Sequence, residues 1–240
     1  MDIMKLMAEK AKNNWDERSV TIAFFGDSVT QGCFEIYRKN EDEIETVFDK
    51  EHAYHSYIAR ILSILFPSVP VNIINAGISG DYTSHALERI ERDVIKYNPD
   101  LTVVCFGLND SGNGTEKISE YTEALEQIFL KLQGAKSEVI FMTPNMMNTN
   151  VSCHITDNFF REIAKDTMKR QNDGVYEQYL NQAKEVCKNL GITVCDCYKR
   201  WRTLYDNGVD VTELLSNKIN HPTREMNWLF AISLVETMFK

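Results

Sequence analysis

The sequence predicts an α/β fold, a three-layer α/β/α sandwich around a five-stranded parallel sheet, and three features of the 240-residue chain carry that prediction. Five short runs are apolar on consecutive residues, as in strands buried on both faces. Segments with apolar residues three and four apart lie between them, as in amphipathic helices. Strands that alternate with helices pair in parallel, because each right-handed crossover lays its helix over one face of the sheet.

The elements follow in order. Residues 1–18 carry Ile3, Leu6 and Met7 at helical spacing and read as a packing helix, since charge interrupts them before a secretory apolar core would be complete. VTIAFF (20–25) is β-branched and aromatic and ends at Gly26, which marks a strand. A polar, acidic excursion from Glu35 to Glu51 follows, and its NEDEIE stretch (40–45) reads as a solvated loop or hairpin bordering the mouth of a site. AYHSYIARILSILF (53–66) places Tyr54, Tyr57, Ile58, Ile61, Leu62 and Leu65 at helical spacing until Pro67 stops it. VNIIN (71–75) is a second strand, DYTSHALERIERDVIKY (81–97) a helix with Leu87, Ile90 and Val94 on one face, and LTVVCFG (101–107) a third strand after Asn98-Pro99-Asp100. A helix is expected near 116–133, then the strand EVIFMT before Pro144. A helical region from about Asp157 to Leu190, broken at Asp173-Gly174, leads to the strand ITVCD, and a last helix runs from about Pro222 to Phe239.

At 43% hydrophobic content the whole chain, 1–240, fits one domain with a sizeable core. A formal net charge of −9 with no block of Lys or Arg argues against nucleic acid or an anionic membrane as partner. No apolar run approaches the roughly 20 residues that span a bilayer, and a cytoplasmic location is expected. The six cysteines (Cys33, Cys105, Cys153, Cys187, Cys195, Cys197) lack paired C-x-x-C spacing and read as reduced, mostly buried thiols. Cys195-Asp196-Cys197 is explained by strand alternation. His52 and His55, beside Asp49 and Glu51, have the spacing of two ligands on a helix but make a weak metal pair.

In parallel sheets ligands bind beyond the carboxyl ends of the strands, so chemistry is sought in the loops that follow them. These loops read GDSVTQG (26–32), NAGISGDYT (75–83), GLNDSGNG (107–114) and TPNMMN (143–148), and NKINHPTREMNW (217–228) arrives near the end of the chain. A serine hydroxyl becomes a competent nucleophile when an imidazole takes its proton, which pairs Ser28 with His221. The oxyanion of a tetrahedral intermediate needs fixed donors, which a backbone N–H at Gly80 and the side-chain amide of Asn109 supply. Each residue has a plainer reading: Ser28 as a helix cap, Gly77 and Gly80 as turn glycines, Asn109 as an Asx-turn residue, His221 as a helix-entry residue before Pro222. Their convergence on one sheet edge favours a site.

Taken together, G-D-S, N-A-G-I-S-G-D, G-L-N-D and His-Pro resemble the SGNH subgroup of the GDSL esterases and lipases over roughly residues 20–235. The resemblance implies a flavodoxin-like sandwich of the SGNH-hydrolase type. It implies Ser28 as nucleophile, His221 as general base, and the N–H groups of Ser28, Gly80 and Asn109 as oxyanion donors, with no cofactor and no metal. Asp27 and Asp110 are expected to fix the Ser and Asn loops through backbone hydrogen bonds. The sequence departs from the family at one place: the acid of D-x-x-H, three residues before the histidine, is replaced by Lys218. Asn217 is the nearest substitute, its carbonyl accepting the ring N–H as asparagine does in Cys-His-Asn sites, with Asp210, Glu213, Glu225 or a backbone carbonyl in competition. A histidine base titrates near pH 6 to 7 in the absence of other influences. The implied function is a serine esterase that removes a small acyl group, acetyl foremost, from a carbohydrate or other small-molecule ester. The alternative is a non-catalytic binding module, either a flavodoxin-like phosphate cradle or an inactive SGNH homologue.

Overall fold

The computed structural model describes all residues from Met1 to Lys240. The apolar runs form strands and the periodic segments form helices, in the order α1 (Asp2–Lys12), β1 (Val20–Gly26), α2 (Ser28–Gln31), β2 (Cys33–Arg38), β3 (Ile44–Phe48), α3 (Tyr54–Leu65), β4 (Val71–Gly77) and α4 (Thr83–Asp93). Then come β5 (Leu101–Cys105), α5 (Ile118–Gly134), β6 (Glu138–Met142), α6 (Asn158–Asn172), α7 (Val175–Leu190), β7 (Thr193–Cys195), α8 (Cys197–Asp206) and α9 (Asn227–Met238). No helix is long and apolar enough to cross a membrane.

Five strands pair in parallel in the order β4-β1-β5-β6-β7. Every residue of β1 is buried, and alternate side chains enter different cores, as the period of a strand requires. Ile22 and Phe24 pack with Ile3, Met7, Tyr54, Trp201 and Phe230 of α1, α3, α8 and α9. Ala23 and Phe25 pack with Ile90, Leu125, Phe129 and Tyr179 of α4, α5 and α7. The three layers and five parallel strands expected from the sequence are therefore present.

The register sets Gly26 level with Gly77 of β4 and with Cys105 of β5, so the loops after these strands emerge side by side. From β1 the chain crosses first to β4 on one side and then to β5 on the other, which puts the switch in strand order beside the end of β1. Ligand crevices open at such a point.

Two elements, α8 and the start of α9, differ from expectation, while the acidic excursion takes the second of the two forms expected for it, loop or hairpin. The acidic excursion pairs as an antiparallel hairpin of β2 and β3, with NEDEIE at its tip and start of its return strand. Helix α8, absent from the sequence reading, begins directly after β7, and its Cys197, Tyr198 and Trp201 face the core. The last helix starts at Asn227, five residues later than expected, because Pro222 is held in a bridge to Leu215.

Candidate active site

Asp27 directly follows β1 and caps the one-turn helix α2, its Oδ1 accepting the Val29 N–H at 3.0 Å. The cap is thus Asp27, and Ser28 is the first helical residue, its N–H without an acceptor in the protein. Helix α2 rests directly on the end of β4: a Cβ on Gly77 would lie 2.2 Å from the Gln31 backbone nitrogen, so only glycine admits this approach. Gln31 reaches on to the next loop, its Oε1 accepting the Ser79 N–H at 2.6 Å. Gly80 follows with φ of +78°, a left-handed conformation that glycine adopts without strain, and its N–H is also unpaired.

Buried Arg89 of α4 binds these loops together. Its Nη1 donates to the Ala76 carbonyl at 2.8 Å, its Nη2 to the Gly26 carbonyl at 3.1 Å, and its Nε to Asp81 Oδ2 at 2.7 Å. The strand ends before Ser28 and Gly80 are therefore tied to one guanidinium. Asn109 joins from β5, one amide N–H donating to the Asp81 carbonyl at 2.8 Å, which leaves its second amide hydrogen free. Asp110 Oδ1 accepts from the Thr83 N–H at 2.9 Å and the Thr83 hydroxyl at 2.7 Å. Burial pushes the Asp27 carboxyl up to about 7 and raises that of Asp110, and Oδ2 of each is buried without a partner. Asp27 thus braces backbone of its own loop, whereas Asp110 bonds across to Thr83 and ties the Asn109 loop to the start of α4.

His221 reaches Ser28 from the far end of the chain, Nε2 standing 2.9 Å from Ser28 Oγ, with both residues buried. Its Nδ1 lies 2.9 Å from the Phe34 backbone carbonyl in β2. A carbonyl only accepts, so Nδ1 carries the hydrogen and Nε2 offers its lone pair to the serine hydroxyl. Burial lowers the His221 pKa to about 4, against the opposing pull of the Phe34 carbonyl and of Glu35. The ring is therefore neutral well below the pH 6 to 7 at which an unperturbed histidine titrates.

The expected contact between Asn217 and the imidazole is not made. Asn217 Oδ1 accepts the backbone N–H groups of Ile219, Asn220 and His221 at 3.0, 2.9 and 3.0 Å, and so folds the loop that presents the histidine. A side-chain carbonyl committed to three main-chain donors has no direction left for the ring. Lys218 takes a left-handed φ of 59° in the same turn. Among the competing carboxylates, Asp210 binds Asn150 and Glu213 binds Lys218, while Glu225 is exposed and makes no bond to the ring. A backbone carbonyl holds the position.

Sequence reasoning missed Phe34, Arg89, Gln31, Asn145 and Asn148. Asn145 donates to the Asn220 carbonyl at 2.8 Å, and the Asn148 N–H to the Ile219 carbonyl at 2.9 Å, which makes the TPNMMN loop the floor under His221. Arg89 had a signal, since it sits on the stripe of α4 that carries Ala86 and Ile90. Phe34 had none, because any residue brings the same carbonyl. The histidines of the weak metal pair have separate partners, His52 on Asp49 at 2.8 Å and His55 on Asn75 at 3.0 Å. No group of three or more His, Cys, Asp or Glu side chains is placed to hold a metal ion.

A serine and a histidine hydrogen-bonded at the carboxyl edge of a doubly wound parallel sheet define the arrangement of an α/β serine hydrolase. The model of the GDSL-like lipase/acylhydrolase family matches residues 24–229, and the chain belongs to that family. An acetylxylan esterase from Geobacillus stearothermophilus is 27% identical over 138 residues, which cover 54% of this chain and 61% of that protein. Subunit alpha1 of platelet-activating factor acetylhydrolase IB from Rattus norvegicus is 31% identical over 83 residues, 34% of this chain and 36% of that one. The curated relatives are thus matched over less than two thirds of their length. Among solved structures, Axe2, an acetylxylan esterase from Geobacillus stearothermophilus, superposes with a TM-score of 0.67 at 21% identity, over 91% of this chain and 94% of that one. A two-domain esterase active on acetylated mannans gives 0.69 at 17% identity, over 99% of this chain and 52% of that one. At these identities the structural likeness speaks for the fold.

Proposed function

We propose that this protein is a serine esterase that hydrolyses acetyl esters of carbohydrates. The observation that carries the reading is the 2.9 Å contact between Ser28 Oγ and His221 Nε2, with the ring held in the tautomer a base requires. Ser28 Oγ attacks the acyl carbon while His221 takes its proton, and the oxyanion develops against the N–H groups of Ser28, Gly80 and Asn109. His221 then protonates the departing sugar alkoxide, and water, activated by the same nitrogen, releases acetate from the acyl-serine. One oxyanion donor is typically worth about 3 kcal/mol of barrier, so three account for a large share of an ester hydrolase's acceleration. The relatives named for acetylxylan, acetylated mannans and a platelet-activating-factor acetyl group support acetyl as the acyl part and carbohydrate as its carrier. A phosphate cradle would have no use for an imidazole buried against Ser28.

The test is exposure to a serine-directed phosphonate, with peptide mapping by mass spectrometry, beside acetate release from acetylated xylo-oligosaccharide. The expected result is one adduct, on Ser28, with acetate release abolished in Ser28→Ala. Folded protein that takes no label and releases no acetate would refute the esterase reading.

A further inference from the structure

An imidazolium formed in a buried site needs a counter-charge, and the atom bonded to His221 Nδ1 is an uncharged carbonyl. The residue after Phe34 is Glu35, whose carboxylate receives Arg224 Nη1 at 2.6 Å and Nη2 at 3.2 Å. Arg224 Nε donates to Asp49 Oδ2 at 2.7 Å, and the guanidinium carbon lies 4.4 Å from the centre of the Phe34 ring. Arg224 stands three residues after His221 in the chain. One guanidinium therefore joins the strand whose carbonyl holds the imidazole, the residue that follows β3, and the histidine's own segment. All three side chains are more than two-thirds shielded from solvent, so their charges are screened less than surface charges.

We propose that the Glu35–Arg224–Asp49 cluster is the positioning device that stands in for the missing acid, fixing the Phe34 carbonyl on His221 and supplying the negative charge that the imidazolium needs. The inference rests on the reading of His221 as base. Two carboxylates and one guanidinium leave a formal charge of −1 on the Nδ1 side of the ring. The other titratable groups nearby are Asp27, beside Ser28 on the Nε2 side, and, against the cluster, His52, bonded to Asp49, Tyr57, whose hydroxyl donates to the Arg224 carbonyl, and Glu225, the residue after Arg224. Glu35 is the charged side chain whose field raises the basicity of His221 against burial. Arginine suits the post because its planar fork grips one carboxylate with two nitrogens and a second with Nε, which an ammonium point charge does not reproduce.

The experiment follows the His221 ring by 15N NMR titration in the wild type, Glu35→Gln and Asp49→Asn, with kcat and KM on a small acetyl ester measured in parallel. Glu35→Gln is expected to move the His221 titration down by roughly half a pH unit or more, since a nearby charge of one sign shifts a pKa on this scale. It is also expected to lower kcat about five- to tenfold with KM unchanged. Asp49→Asn should act in the same direction with smaller effect, and carries the test if Glu35→Gln does not fold. Arg224→Lys should recover only part of the wild-type kcat. A fall in kcat with the His221 titration unmoved would mark a merely structural role and overturn the proposal, as would an upward shift or no change at all. The titration is read without turnover, so an inactive wild type would refute the esterase reading while the ring shift still decides this one.

Discussion

Replacing Asp27 by Asn should stabilise the protein at alkaline pH and not at acid pH. Asp27 is 1% exposed, its Oδ1 takes the Val29 N–H, and its Oδ2 is buried with nothing to pair with. Burial, with Asp110 and Asp81 nearby, raises its carboxyl from 3.8 to about 7. The folded protein then binds a proton that the unfolded chain has released throughout that window. A group raised in the folded state loses its contribution as pH rises, at about 1.4 kcal/mol per pH unit. Across the window from 3.8 to about 7 the loss is on the order of a few kcal/mol and is complete above it. Asparagine keeps the cap, because its carbonyl also accepts from Val29, but puts an amide N–H where Oδ2 had no partner. An unpaired buried donor costs about 1–3 kcal/mol at every pH. The difference between the variants is therefore near zero or unfavourable to Asn at pH 5, and favours it by a kcal/mol or more at pH 8, about 2–4 °C in Tm per kcal/mol for a chain of this size. His55 and His221, lowered by burial to about 4, weaken both proteins alike as pH falls from 6.5, so they cancel in the comparison. Thermal melts of the two proteins from pH 5 to 8 test this, and a difference in Tm that does not change with pH would refute the reasoning.

On the proposed mechanism kcat/KM for an acetyl ester should fall only as pH drops through about 4, where burial places His221; an acid limb near 6 to 7 in the pH–rate profile would mean a solvated ring. Lys218→Asp, which restores the family's D-x-x-H spacing, should leave kcat/KM within about threefold, because Nδ1 has one hydrogen and Phe34 already takes it; a tenfold gain in an ester assay would show the carbonyl to be a weak substitute. Asn217→Ala should lower Tm and reduce kcat about tenfold or more with the acid limb in place, since three backbone donors lose their acceptor; loss of activity at unchanged Tm would instead indicate direct contact with the ring.

What could be read from the sequence was whatever repeats a physical signal along the chain. VTIAFF, LTVVCFG and EVIFMT announce buried strands because apolar and β-branched side chains fill nearly every position, and all of β1 and β5 is indeed buried. The break between α6 and α7 was legible because Gly174 takes a φ of +75° where asparagine or glycine is at home. Helix α8 was hidden by overlap: Cys195 and Cys197 alternate like the end of a strand, although Cys197 already belongs to a helix whose period runs on to Tyr198 and Trp201. The start of α9 was misplaced because Pro222 fits a first helical turn as well as the extended bridge it makes with Leu215. At the site, Ser28 and His221 could be named because their chemistry belongs to the side chain. The partner of Nδ1 could not, since a main-chain oxygen leaves no mark in composition, and its position depends on the β2–β3 hairpin closing over the loop of His221.

The substitution of a carbonyl for a carboxylate separates two tasks that an aspartate performs together. One is to hold the imidazole with its hydrogen on Nδ1, and the other is to offset the charge that appears when Nε2 takes the serine proton. In a serine protease, exchanging that aspartate for asparagine costs about 10⁴ in kcat, largely because the ring is left in the wrong tautomer. The Phe34 carbonyl cannot make that error, having no hydrogen to donate. What it lacks is charge to oppose burial, which lowers the ring to about 4, so on the proposed mechanism the proton transfer from Ser28 is less favourable than with an adjacent carboxylate. The same depression keeps the base neutral over a wider span of pH. An esterase built this way trades peak rate for activity that persists in mildly acid conditions, and any charge that Glu35 and Asp49 return to the ring regains rate only by moving the acid limb up.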